Sequence, residues 1–292
     1  MLNGVTASKV FLPAQTISPA SLLDYLIVHF AHISEQEWRQ RIEQGLVFLA
    51  DGTVATPYTP YSANNHVFYY RFLEHEIKVP FEHDIIFEND HFLVADKPHF
   101  LTISPTGQYV QETLLVRLKK QTGNPDLTPI HRLDRETAGL VLFSKQVMTR
   151  GCYQQMFAEQ KIEKLYHAIA PFNPNLKFPC ELALRMEKGQ PFYTMQVIDG
   201  PSNSSTQIEC IAHNHIWAKY ALRPKTGKQH QLRVHLAHLQ IPIKNDPFYP
   251  CVVHKKEDDF SSPLQLLAKK IRFIDPITQQ LMQFESQQDL HL

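Results

Sequence analysis

His131-Arg132-Leu133-Asp134-Arg135-Glu136-Thr137-Ala138-Gly139-Leu140-Val141-Leu142-Phe143-Ser144-Lys145 is the stretch on which the reading of this chain turns. Its second half holds a short unbroken apolar run, Leu140 to Phe143, which reads as a buried strand. Its first half is turn-like and charged, with the carboxylate of Asp134 standing between Arg132 and Arg135. A cation beside a carboxyl lowers its pKa by about 1–3 units in favourable geometry. Asp134 is therefore expected to be ionised at neutral pH, which suits a nucleophile or an electrostatic stabiliser. The plainer reading is a salt bridge at a strand entrance, and local sequence alone favours it.

Working outward, a helix is expected from about Gln146 to Gln160 and a strand from Tyr166 to Ala170. Upstream, Ile85-Ile86-Phe87 and Phe92-Leu93-Val94 read as short buried strands, and Thr113 to Lys120 as a helix. Residues 172–206 mix Pro, Gly, Asn and Ser with short strand-like pieces, and alternation returns at Ile216 to Leu222. Residues 21–45 read as helix, turn, helix. Ser34 with Glu37 makes a capping box, Gly45 ends the second helix, and Asp51-Gly52 turns the chain after Leu46-Val47-Phe48-Leu49. The pattern changes at Val79-Pro80, which divides an N-terminal region, residues 1–80, from a main domain, residues 81–292. Strands mixed with helices, without a regular βαβ rhythm, favour α+β over a doubly wound sheet.

Composition narrows the class. The 292 residues are 43% hydrophobic, 20% charged and 11% aromatic, which argues for a packed core and against disorder. No apolar run approaches the roughly 18 residues of a membrane span, and nothing after Met1 resembles a signal peptide. Cys152, Cys180, Cys210 and Cys251 are widely spaced with no CxxC pair, so neither a zinc ribbon nor a dense disulfide framework is expected. A soluble, reduced, cytoplasmic protein is the default. Asn203-Ser204-Ser205 matches a glycosylation sequon, which carries no meaning in that setting.

Formal charge is zero, from 29 Lys plus Arg against 29 Asp plus Glu, but it is segregated. Residues 151–256 hold 13 basic and 7 acidic side chains, whereas residues 1–80, 81–150 and 257–292 are net −2, −1 and −3. Between Glu209 and Asp246 there is no acid, while six Lys or Arg and five His occur there. Such a cluster can bind a polyanion even in a neutral chain. An ordinary solvated surface is the competing reading.

Within that cluster lies Arg223-Pro224-Lys225-Thr226-Gly227-Lys228-Gln229-His230-Gln231-Leu232-Arg233-Val234-His235. Thr226-Gly227 predicts a turn and the residues after it a helix, with Leu232, Leu236 and Leu239 on its apolar face. His230 and Arg233, three apart, are expected to project together from the opposite side, where a phosphate or carboxylate could meet them. A helix with a merely wet polar face fits the same spacing.

Here the sequence resembles a known family. The stretch from His131 to Lys145 is similar to the signature of RluA-type pseudouridine synthases. Three further blocks match in the family's order: Asn89 to Pro98, ending in Lys97-Pro98; Lys164-Leu165-Tyr166-His167-Ala168; and Arg223 to Tyr249, closing on an Asp-Pro-x-Tyr turn at Asp246. The resemblance spans about residues 82–285. It implies a mixed, largely antiparallel sheet core with flanking helices, and an RNA uridine isomerase acting on rRNA or tRNA. Asp134 would be the catalytic carboxylate, Tyr166 would pack on the target base, and Arg233 would pair with Asp134. Arg132 would help hold the duplex open around the flipped nucleotide, as chemistry on a stacked base requires. Lys164, Arg223, Lys225, Lys228 and His230 would contact RNA, the last four at backbone phosphates. Isomerisation consumes no second substrate, so no cofactor is implied, and neither GxxxxGK[ST] nor GxGxxG occurs.

Some positions depart from the family pattern. Lys228 and Leu232 vary the basic block, Asn245 stands where Gly usually precedes Asp246, and Leu267 replaces a His. Residues 17–80 faintly resemble the small helix-turn-helix RNA-binding domain often fused to these enzymes, through Trp38, Arg39, Arg41, Ile42 and Gly45-Leu46-Val47. Two other functions compete: a non-catalytic RNA-binding or RNA-folding module on the same fold, and an unrelated glycosidase or metal hydrolase. Intact Asp134, Tyr166 and Arg233 speak against the first. Against the second stand the missing opposed carboxylate and the absence of HExxH or of His at i, i+4 between His230 and His235. His235 and His238, three apart, could share a face, but core or surface roles fit them better, and no metal is expected. The expected partner is structured RNA and no membrane, with the chain acting as a monomer.

Overall fold

The computed structural model describes residues 2–71, 76–256 and 258–292. In chain order the elements are β1 (Ser8–Leu12), α1 (Leu22–His29), α2 (Glu35–Glu43), β2 (Val47–Leu49), β3 (Asn65–Tyr69), β4 (Asp84–Glu88), β5 (Phe92–Lys97) and α3 (Leu114–Thr122). They continue with β6 (Thr128–Pro129), β7 (Ala138–Ser144), α4 (Val147–Ala158), β8 (Ile162–Pro171), β9 (Cys180–Lys188), β10 (Met195–Ile198), β11 (Ser204–His213) and β12 (Trp217–Pro224). Last come α5 (Gln231–His238), β13 (Leu266–Ile274) and β14 (Leu281–Glu285).

The main sheet runs β10-β9-β11-β12-β8-β13-β7-β5-β4, with β14 added to β13 and β6 to β7. Among the described residues its only parallel pairing is β13 with β7, so the fold is α+β around a mixed, largely antiparallel sheet. The central strands β5 and β7 are buried on both faces, which is why their sequences read as unbroken apolar runs. Successive side chains point to opposite faces. Leu93, Ala95, Val141 and Phe143 pack in the core that includes Leu114 and Leu118 of α3. Phe92, Val94, Leu140 and Leu142 pack in the one that includes Tyr153 and Met156 of α4. A third core joins β8, β11 and β12 to Leu232 and Leu236 of α5. The expected short pieces over 172–206 are longer than their sequence suggests. β9 and the start of β11 pair antiparallel, one-sided and half exposed, so they lack an apolar run.

Gly139 carries a requirement of its own. Its φ is +108°, and a Cβ built there would lie 2.3 Å from the carbonyl oxygen of Ala268. That glycine lets β13 lie parallel to β7 immediately after the charged turn, in the register Gly139 to Ala268. Leu267, buried next to it opposite Ala138, packs with Ile169 and Leu290.

The helices within residues 21–45 and the strand β2 form as the sequence predicts, and β1 and β3 complete a sheet the sequence did not announce. Ser34 and Glu37 form the expected capping box on α2, and Ser21 and Asp24 form a second on α1. The sheet β1-β3-β2 encloses its own core around Leu22, Leu26, Trp38 and Val67. Chain on both sides of this unit touches the main body. Val5 packs with Val110 and Val116, and Lys119 Nζ donates to Thr6 Oγ1 at 3.0 Å. The Glu76 carboxylate accepts three successive amides, from Val110 (2.6 Å), Gln111 (2.9 Å) and Glu112 (2.7 Å). Val79 is already buried in the core with α3.

Substituting Gly139→Ala is expected to cost at least about 2 kcal/mol, since backbone strain and a backbone clash coincide. A lower midpoint of urea unfolding than wild type checks this. An unchanged midpoint would show that the strand pair does not need the close approach.

Candidate active site

Several backbone contacts hold the turn that carries Asp134. Its carbonyl accepts the Thr137 amide at 3.1 Å, which closes the turn. Lys97, fully buried at the end of β5, donates to the carbonyls of Pro98 (2.9 Å), Leu101 (2.9 Å) and Arg135 (3.0 Å). Three acceptors match the three hydrogens of an ammonium. Burial pushes that group down to about 7, while the charges of Glu136 and Asp134 oppose the shift. His99 Nδ1 donates to the next carbonyl, that of Glu136, at 2.7 Å. At the head of the turn, His131 stacks on Phe157 and its Nε2 accepts the Leu142 amide at 3.1 Å. These contacts fix the backbone on both sides of Asp134.

The charge partners of Asp134 are not its sequence neighbours. Arg135 lies over the rings of Phe100 and Tyr109 and reaches Glu136, and Arg132 is exposed at the cleft wall. The cation on Asp134 is Arg233, from α5, whose Nη1 is 3.1 Å from Oδ2. The rest of that guanidinium is gripped by Asp246, through Nε to Oδ2 at 2.8 Å and Nη2 to Oδ1 at 2.7 Å. Arg233 is 1% exposed and Asp246 0%, against 23% for the Asp134 side chain. Burial alone would lower the guanidinium pKa, but the hydrogen bonds and charge of Asp246 and the charges of Asp134 and Glu136 outweigh it and hold it above its ordinary value. Asp246 also accepts the amides of Phe248 (2.8 Å) and Tyr249 (3.2 Å). The competing reading of α5 as a helix with a merely wet polar face does not hold: Gln231 to Leu236 are all buried. His230 lies one residue ahead of the helix, with a left-handed φ of +54°.

Asp134 opens into a cleft of about 400 Å³. Tyr166, Leu133, Leu266 and Phe157 supply apolar surface, while Arg132, Lys164, Lys228 and the edge of Arg233 supply positive charge. Burial, with the Asp134 charge adding to it, holds the Tyr166 hydroxyl above its ordinary range, so it stays protonated at neutral pH. Among the described residues Asp134 is the only carboxylate lining the cleft, and Arg132, Lys164 and Lys228 have no carboxylate partner. Arg223 and Lys225 lie outside its wall and are paired with Glu209 (3.1 Å) and Glu181 (2.7 Å). Glu136 lines a separate cavity with Phe100 and Tyr109. Asn245 keeps the turn before Asp246 by adopting φ +65°, a region asparagine tolerates, and donates to the Pro263 carbonyl at 3.0 Å.

The structure thus brings Asp134, Tyr166, Arg233, Arg132, Lys164, Lys228 and His230 to one cleft and leaves Arg223 and Lys225 beside it. Sequence reasoning assigned no role to Lys97, Asp246 or Tyr249. The Lys-Pro and Asp-Pro-x-Tyr blocks held the signal, since a lone Lys ending an apolar strand needs buried acceptors.

A single anchored carboxylate at the floor of a cationic cleft, carried by a mixed sheet, fits a polyanionic substrate and not the paired carboxylates of a glycoside hydrolase. The fold is that of a human protein, RNA pseudouridylate synthase domain containing 1, with a TM-score of 0.58 at 22% identity over 71% of this chain and 84% of that one. Residues 91–238 match the RNA pseudouridylate synthase family. An uncharacterized RNA pseudouridine synthase of Synechocystis is 30% identical over 78% of this chain and 79% of its own length. The tRNA pseudouridine synthase C of Vibrio vulnificus is 32% identical over 59% and 75%. The chain belongs to the RluA-type RNA pseudouridylate synthase family, whose members are isomerases. No helix among the described residues is long and apolar enough to cross a membrane.

Burial also sets the acid limit of the fold. It lowers the pKa of His131 to about 3 and those of His99 and His235 to about 4, from an ordinary 6.5. The unfolded chain binds these protons first, so their contribution is intact above the unfolded value and is lost as pH falls from about 6.5 toward 4. The urea midpoint should fall across that window, less steeply in His235→Gln. A flat midpoint would contradict the burial of these rings.

Proposed function

We propose that this chain converts specific uridines of tRNA or rRNA to pseudouridine, with Asp134 as the catalytic nucleophile. The observation that carries the reading is the Asp134 carboxylate, exposed to the cleft on one side and tied to the buried Arg233–Asp246 pair on the other. The reaction breaks the glycosidic bond, turns the base within the site and rejoins it through carbon. Asp134 attacks the sugar or the base. Arg233 holds it aimed into the cleft, and the Tyr166 ring packs on the base with its hydroxyl available for proton transfer. The uridine leaves its stack to reach this floor, at a cost of a few kcal/mol, and Arg132 at the cleft wall fills the space behind it. Lys164 and Lys228, free of carboxylates, take nearby phosphates; Arg223 and Lys225 join only by giving up Glu209 and Glu181.

In this reading residues 81–292 are the catalytic domain. Residues 1–80 are a degenerate small RNA-binding domain that adds little affinity, because its arginines are already engaged. Arg39 pairs with Glu35, Arg41 packs on Trp38, and Arg71 donates to the Gly107 carbonyl.

Asp134→Asn is expected to abolish pseudouridine formation while folding and RNA affinity persist. Incubation of purified protein with bulk tRNA and rRNA, followed by mapping of modified sites, checks this. tRNA is the first pool to test, given the name of the Vibrio relative. Activity retained by Asp134→Asn would overturn the mechanism; a wild type inactive on both pools would favour a binding or RNA-folding module. Lys228→Ala should weaken RNA binding and reduce the slope of log affinity against log salt by about 1. An unchanged slope would remove Lys228 from the phosphate path.

A further inference from the structure

His230 is a titratable group at the cleft for which the mechanism above finds no use. It is 9% exposed, a poor position for an RNA phosphate contact. Its left-handed backbone is a conformation that costs a non-glycine residue about 1 kcal/mol or more and that clusters at functional sites. Ring Nδ1 lies 2.8 Å from the Tyr249 hydroxyl. That hydroxyl oxygen already accepts the Met195 amide at 2.8 Å. If Nδ1 donated as well, the hydroxyl hydrogen would have no acceptor. With the hydroxyl donating to Nδ1, both the hydroxyl and Nδ1 are satisfied, and the neutral ring carries its proton on Nε2.

Nε2 faces Asp134 Oδ1 at 3.7 Å. Arg233 engages the other oxygen, Oδ2. The carboxylate is thus addressed on both oxygens, by a buried cation on one and by an oriented N–H on the other. The His230 contact is longer than a hydrogen bond, a spacing that active sites close when substrate is seated. The groups facing the ring are Asp134, Asp246, Glu136, Arg233 and Tyr249, with Phe248 packed at 5.6 Å. Burial lowers its pKa, against the pull of the Asp134 charge.

We propose that His230, oriented by the Tyr249 hydroxyl, is a positioning residue that sets the rotation of the Asp134 carboxylate through Oδ1, and is not a contact to RNA phosphate. This rests on Asp134 being the catalytic carboxylate. A positioning role predicts a loss in kcat; a phosphate contact predicts a loss in affinity and in salt dependence.

The test measures kcat, KM and salt-dependent RNA affinity for wild type, His230→Ala, His230→Gln and Tyr249→Phe, with Asp134→Asn as the inactive limit. Tyr249→Phe removes a single atom and keeps the ring, so it reports even where His230→Ala folds poorly. The expected result is a fall in kcat of about 10- to 100-fold for His230→Ala and Tyr249→Phe, with affinity and salt slope unchanged. His230→Gln, which restores an N–H, should recover part of it. Unchanged kcat in both variants, or a raised KM with a salt slope lower by about 1, would overturn the proposal. A wild type forming no pseudouridine would overturn the catalytic reading beneath it, whereas an active wild type with unaffected variants would overturn this inference alone.

Discussion

Arg233 between two carboxylates is the interaction on which the site depends. A guanidinium this buried is tolerable only when its charge and its hydrogen-bond donors are met, and removing one partner of such a pair costs roughly 3–5 kcal/mol. Asp246 meets Arg233 through two parallel bonds and is itself held by the amides of Phe248 and Tyr249. One further nitrogen is left for Asp134. The turn after β12, the helix α5 and the Asp246 turn therefore act as one support for a carboxylate that the β7 turn delivers from the other side. Lys97 and His99 fix that delivery at the backbone, without touching the carboxylate.

Much of this was legible in the sequence, for reasons that differ by element. β5 and β7 announced themselves because both faces are buried, and α2 because Ser34 and Glu37 write a cap. β9 and β11 were not legible as long strands, since one face is wet and Pro, Gly and Asn crowd their ends. The local charge argument at Asp134 reached the wrong partners: adjacency placed Arg132 and Arg135 beside it, whereas folding supplied Arg233, 99 positions on. Only the resemblance to the family paired the two. The left-handed turn at His230 was equally hidden, because its helical spacing to Arg233 looked regular. Asn245, a departure from the family pattern, proved compatible with the same turn because asparagine shares the left-handed region with glycine.

Zero net charge is a poor description of the surface this chain offers to RNA. Within the +6 segment, Arg223 and Lys225 are neutralised by Glu209 and Glu181, while Lys164 and Lys228, joined by Arg132, have no carboxylate partner among the described residues and line the cleft. Positive charge is thus concentrated at the cleft that holds Asp134, and paired cations flank it. A site of this kind places its substrate more by shape and local charge than by broad electrostatic adhesion.

The way the N-terminal unit is fastened has a consequence of another kind. Residues 4–6 lie against α3, and Glu76 closes on the amides just ahead of that same helix. The chain departs from and returns to one place, so the three-stranded sheet is built like an insertion on a double root and not like a bead on a string. A double root restricts the volume the unit can sweep and so raises the effective concentration at which anything it holds meets the cleft. It also makes the start of α3 a shared keel: removing the N-terminal unit with its first residues would lay bare Val110 and Val116, which Val5 covers.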